Sequence, residues 1–174
     1  MAGFSLINGT LSIALVSFIA LVTQEAFIFP SLGATAFILF HVPLAEPASP
    51  RNTFCGHLIG ALMGLFSLHI FGLQDQASAF LHGVDLPRVG ASALSLGLTG
   101  CLMVLFRVVH PPAGATALIV SLGLMPDPAQ LPVLMAGVCL LLAHAYCMNR
   151  LSGIPYPVWS ATKSTPSTGA VSSP

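Results

Sequence analysis

The chain has 174 residues, of which 55% are hydrophobic and only 6% charged, with a mean hydropathy of +0.91. A soluble domain carries roughly a quarter charged residues, so this composition cannot solvate a globular surface and implies an integral membrane protein. The formal net charge is zero, which excludes the basic footprint of a nucleic-acid partner.

A spanning helix needs about 20 apolar residues. In chain order, the first stretch that qualifies is 4–22. It has no basic region ahead of it, so it reads as a membrane span and not as a removable signal. "FPSLGATAF" follows at residues 29–37 and opens an apolar segment, 30–42, that is too short to span alone. In "ASPRN", Ser49 can cap a second span (53–73) whose helix begins at Pro50. Gly56, Gly60 and Gly64 form a stripe on that span, suited to close helix packing within the fold or between subunits of a possible homo-oligomer.

The polar connection "QDQASAFLHGVDLPR" leads to a third span, 89–106. "HPPAGATA" then breaks the backbone at residues 110–117, because two successive prolines remove two amide donors. It opens a second short apolar segment, 111–125, before a fourth span at 131–148. Residues 1–150 therefore read as one transmembrane domain, and the Pro/Ser/Thr-rich residues 151–174 as a disordered tail. Cys55, Cys101, Cys139 and Cys147 are scattered without a CxxC pair and read as packing residues, so neither a metal nor a cofactor is expected.

The chain repeats itself. A gap-free shift that lays Gly33-Ala34-Thr35-Ala36 on Gly114-Ala115-Thr116-Ala117 also lays Pro30 on Pro111, Ile38 on Ile119, Gly9 on Gly90 and Gly56 on Gly137. The order span, break, short helix, span recurs in both halves (about 4–73 and 88–149), as an internal duplication would leave it. Repeats flanking interrupted segments point to a transport site. If each short helix dips in and returns, the halves are parallel. If each completes a crossing, they are inverted. The preferred arrangement is an all-α protein of four full spans with two re-entrant or broken half-helices.

Irregular backbone survives at membrane depth only where protein or a watery cavity satisfies it. Helices beginning at Gly33 and Gly114 leave amide groups free at the positive ends of their dipoles. If those ends face one another, they form a small anion site. Ser31, Ala34, Thr35, Pro111, Ala115 and Thr116 line the two openings. Glu25 and Arg107 stand one register step apart at the equivalent breaks, and pseudo-symmetry could bring them together near the centre. His110 could donate one hydrogen bond when neutral and two when protonated. Arg51 and Asn52 fall in the first turn of the second span, where the dipole disfavours a cation, so Arg51 needs a partner or an anion path. His57, His69 and His144 lie on spans and read as helix-packing residues.

These residues resemble the HPP integral membrane proteins, a family named for its His-Pro-Pro motif. The likeness rests on Pro30 to Ala36, on Ala48 to Asn52 with Gly56-His57, and on His110 to Ala117. It implies a four-helix membrane domain and, from plant-chloroplast and cyanobacterial relatives, transport of nitrite or a similar small anion. Some bacterial members carry CBS domains after the membrane part. This sequence has only a short tail there, so nucleotide regulation of that kind is not expected. A multi-pass bacterial plasma-membrane protein is the expected setting. The competing readings are a structural subunit of a membrane complex, or an enzyme using His110. Against an enzyme, no nucleophile or metal cluster stands out.

Overall fold

The computed structural model describes residues 2–25 and 28–161. Its helices are α1 (Ala2–Thr23), α2 (Pro30–His41), α3 (Pro50–Ile70), the single-turn α4 (Ala79–His82), α5 (Leu86–Leu105), α6 (Pro112–Ser121) and α7 (Leu131–Leu151). There is no strand among the described residues. Four helices are long and apolar enough to cross a membrane, and α2 and α6 are the two short apolar ones. This is an all-α membrane protein.

Local chemistry sets the helix starts. A proline occupies the first turn of α2, α3, α5, α6 and α7, where its missing amide costs nothing. Ser49 Oγ accepts from the Asn52 amide at the head of α3, as its position before Pro50 predicts. Asp85 caps α5 in the same way through the Arg88 amide. The breaks use left-handed backbone at two non-glycine residues, Gln24 (φ 58°) and Arg107 (φ 54°), one after α1 and one after α5.

Contacts along the helices fix their directions. Ser5, near the start of α1, donates to the Phe40 carbonyl near the end of α2, and Asn149, near the end of α7, donates to the Leu39 carbonyl. Arg51, at the start of α3, reaches the carbonyls of Phe106 and Arg107 just past α5. One end of the bundle therefore gathers the start of α1, the ends of α2, α5 and α7, and the start of α3. At the other end, Arg88 near the start of α5 donates to the Ser121 carbonyl closing α6 and to Gln76 and Ala77 beyond α3. So α1, α2 and α3 alternate in direction, and α5, α6 and α7 alternate in the opposite sense.

This differs from the re-entrant arrangement, in which α3 would start where α1 ends. Past the break that follows α1, α2 runs back toward the end of the bundle where α1 starts. A helix of 12 residues supplies only roughly 18 Å of rise, less than a full span provides.

The glycine stripe is used inside the fold. Gly56, Gly60 and Gly64 lie against His110, Ala113, Ala117 and Val120, so α6 runs alongside α3 at backbone contact. The end of the chain also departs from expectation. Residues 152–161 are anchored at two points, by the buried Tyr156, whose hydroxyl donates to the Ala48 carbonyl at 2.6 Å, and by the Arg51 amide, which donates to the Trp159 carbonyl. Burial pushes the Tyr156 phenol above its ordinary range, so it stays a donor. The remainder of the expected disordered tail, 162–174, lies outside the described residues.

Candidate functional site

The short helices begin earlier than their GATA motifs suggest. Pro30 and Pro112 open α2 and α6, which leaves Gly33 and Gly114 inside the first turns. At α6 the expected nest of free amides is not built. Pro111 and Pro112 have none, the Ala113 amide donates to the His110 carbonyl, and the Gly114 amide donates to the Pro111 carbonyl. At α2, Pro30 has none and the Leu32 amide returns to the Phe29 carbonyl. Gly33, Ala34 and Pro111 face outward, and Gly114 and Ala115 are half-buried, with Leu96 opposite Gly114.

What the two short helices do share is their threonines. Thr35 on α2 and Thr116 on α6 are fully buried, and His57 on α3 lies between them. His57 Nε2 is 2.8 Å from Thr35 Oγ1, and His57 Nδ1 is 2.7 Å from Thr116 Oγ1. His110, just ahead of α6, is also fully buried, with Nε2 3.0 Å from Thr35 Oγ1 and Nδ1 2.7 Å from the Pro47 carbonyl. The two imidazole centroids are 5.0 Å apart.

One fixed point orders the protons in this chain. The Pro47 carbonyl can only accept, so His110 carries its proton on Nδ1, and in the neutral ring Nε2 is an acceptor. Thr35 then donates its one hydroxyl proton to His110 Nε2. His57 must therefore donate from Nε2 to Thr35, which leaves Nδ1 to accept from the Thr116 hydroxyl. These bonds run one way, from Thr116 through His57, Thr35 and His110 to Pro47, while the Ser31 carbonyl, 2.9 Å from Thr35 Oγ1, is a second acceptor within reach of the Thr35 hydroxyl. Beside it, the Ser31 hydroxyl on α2 is fully buried and has no partner among the described residues.

The other expected residues divide. Asn52 donates to the Val109 carbonyl and so braces the break, where Thr53, which was not among the expected residues, also lies beside His110. Arg51 has its partner in the carbonyls of Phe106 and Arg107, at the negative end of the α5 dipole, which resolves its unfavourable position on α3. Glu25 and Arg107 do not meet. Both are exposed, Glu25 beyond the end of α1 and Arg107 beyond the end of α5. These are opposite ends of the bundle, because the two halves run in opposite senses.

His57 is the residue that reading by helix missed. Its signal was its place one turn after Thr53 and beside Gly56, on the face that the glycine stripe marks as closely packed. His144 is a packing histidine as expected, joined to Ser12 at 2.8 Å between α1 and α7. Arg88, buried with three carbonyl partners, was not singled out either. An open apolar groove of about 520 Å³ lies between residues 41–45 and 153–155, at the end of the bundle, with neither His57 nor His110 in its lining. No group of three or more metal-ligating side chains occurs among the described residues.

Residues 1–157 match the transmembrane region of the HPP family. Two transmembrane proteins of Dictyostelium discoideum are similar, one 33% identical over 117 residues (67% of this chain and 38% of that protein) and the other 32% identical over 115 residues (64% and 33%). The chain spans well under half the length of these relatives. No solved structure matches it. With the His-Pro-Pro break, both short helices and all four long ones inside the matched region, the chain belongs to the HPP family of transmembrane proteins.

Proposed function

We propose that this chain transports a small monovalent anion, with nitrite as the first substrate to test, and that its two halves are inverted repeats. One observation carries the reading. A continuous chain of hydroxyl and imidazole groups is buried where two interrupted helices cross, inside a bundle whose outer face is largely apolar. Polar groups at that depth are expensive and are kept for function by default. Interrupted helices in corresponding positions of two opposed halves are the arrangement in which transport sites occur.

Ligation in this reading comes from side chains and not from helix-end amides. The Ser31 hydroxyl is the unused donor, and the Thr35 and His110 groups beside it are acceptors or donors according to their protons. A nitrite ion is small, planar and an acceptor at both oxygens, so it suits a site built from two or three such donors. The family resemblance supports nitrite in particular.

The test is uptake into sealed liposomes that hold only this protein, with protein-free vesicles subtracted because nitrous acid crosses bilayers unaided. Saturable nitrite uptake above that baseline is expected, with no chemical change in the anion. Uptake equal to the protein-free control for nitrite, nitrate, formate and bicarbonate alike would overturn the reading.

A further inference from the structure

The Thr35 hydroxyl has two acceptors and one proton. Its Oγ1 is 3.0 Å from His110 Nε2 and 2.9 Å from the Ser31 carbonyl. With His110 neutral, the proton points to His110, since otherwise two lone pairs would face each other. With His110 protonated, Nε2 becomes a donor. The Thr35 hydroxyl can then rotate onto the Ser31 carbonyl while accepting from His110 Nε2 and His57 Nε2 together. Each lone pair and proton of Thr35 is used, and no hydrogen bond in the chain is lost.

His57 has no equivalent freedom. A proton on its Nδ1 would need the Thr116 hydroxyl to turn elsewhere, and Thr116 has no second side-chain hydrogen bond among the described residues. A second charge is also opposed, because the rings stand 5.0 Å apart. The geometry therefore provides for one proton, at His110.

Among the described residues, no ionisable side chain makes a hydrogen bond to His110, whose partners are Thr35, Thr53 and the Pro47 carbonyl. On α2 the only one is His41, exposed at the far end, and in the linker before α3 it is Glu46, also exposed. On α3, Cys55 is half-buried, Arg51 is turned to the end of α5 and His69 pairs with Gln74 near the other end; on α5, Cys101 is exposed and Arg88 is held at the opposite end of the bundle. On α6 there is none, and on α7 His144 faces Ser12 while Cys139, Tyr146, Cys147 and Arg150 are exposed.

We propose that the Thr35 hydroxyl is a rotor that lets His110 take up one proton as the anion binds, so that anion and proton cross together as an electroneutral pair. An anion alone, buried beside a neutral cluster, would be an uncompensated charge. The proton on His110 Nε2 comes from the compartment that supplies the anion and leaves to the one that receives it, with Thr35 returning to its first orientation. This rests on the anion-transport reading above, and the experiment separates the two.

Two measurements on the full chain test it. In nanodiscs, nitrogen-15 NMR of the six histidines is expected to give His110 as the Nδ1–H tautomer and His57 as the Nε2–H tautomer at neutral pH. On acidification in nitrite, His110 alone of the two should protonate. Thr35→Val should displace that titration to lower pH, and Thr35→Ser should restore it. Protonation of both rings together, or an unprotonated His110 Nδ1 at neutral pH, would overturn the rotor whatever the flux. In liposomes, nitrite uptake should be indifferent to a potassium–valinomycin potential. Uptake that speeds up several-fold when the interior is made positive would overturn the coupling and leave the transport reading intact. Absence of uptake would fail the transport reading and, with it, the coupling, while the NMR result still decides the proton site.

Discussion

A Cβ placed on Gly56 would stand 2.8 Å from the Cβ of His110, so the family's defining histidine reaches the bundle centre only because glycine faces it. Gly60 is tighter still, with the Ala113 carbonyl where its side chain would be. Gly60→Ala should therefore destabilise the protein by about 2 kcal/mol or more, since overpacking a rigid backbone contact costs about 1–3 kcal/mol. Gly97→Ala, where no atom lies within 4 Å, should be neutral or slightly stabilising through helix propensity. Reversible unfolding of both variants in mixed micelles makes the comparison.

Replacing His57 with Phe keeps the ring and removes both nitrogens, so Thr35 and Thr116 each lose a partner. A cost of about 1–3 kcal/mol is expected for stranding buried hydroxyls, with nitrite uptake falling to the protein-free level. His57→Gln retains a donor and an acceptor and should recover most of the stability. If His57→Phe transports like the parent protein, the polar chain is a packing device and no more.

Arg88 is buried, and among the described residues its guanidinium has only carbonyl partners. It is held by the Ser121, Gln76 and Ala77 carbonyls, the first at the negative end of α6. Gly123 (φ 80°) leaves the space its guanidinium fills. Arg88→Met should cost about 3 kcal/mol by leaving three carbonyls without a charged donor. Arg88→Lys should recover only part of this, because an ammonium cannot reproduce the planar fork. The midpoint of thermal unfolding in nanodiscs, read for both variants, checks the order.

Glu25 and Arg107 lie at opposite ends and both are exposed. Glu25→Gln and Arg107→Gln should each change stability by less than about 0.5 kcal/mol, as surface substitutions do. Their double variant should show no coupling beyond the error of a cycle. A coupling of 1 kcal/mol or more would mean that the two ends communicate in a way the contacts do not provide for.

The four long helices were legible because roughly 20 apolar residues in a row leave few alternatives. Ser49 was legible as a cap because a side-chain acceptor followed by proline is a local signal. The direction of α2 was not, since the same 12 residues can return or complete a crossing, and only the Ser5–Phe40 and Asn149–Leu39 contacts decide it. The buried polar cluster was legible at His110, Thr35 and Thr116, which sit in repeated motifs. It was not legible at His57, because its role depends on two partners, one of them 59 residues away in sequence. The amide nest failed for a reason already present in the sequence. Two prolines break a helix, and they also take away the donors that an anion would need.

The alternation of helix directions has an effect on how the chain enters a membrane. The end that holds the start of α1 also holds Arg51, Arg107 and Arg150, with Glu46 as its one acid among the described residues. The opposite end has Glu25, Asp75, Asp85 and Asp127, and its arginine, Arg88, is buried. Loops rich in arginine stay on the side from which a chain is inserted. Three arginines against none exposed give α1 one favoured heading, so insertion should leave the start of α1 and the end of α7 facing the compartment where the chain is made. Six alternating segments require that agreement, and the two short helices, which cannot be held by hydrophobic length alone, depend on it most.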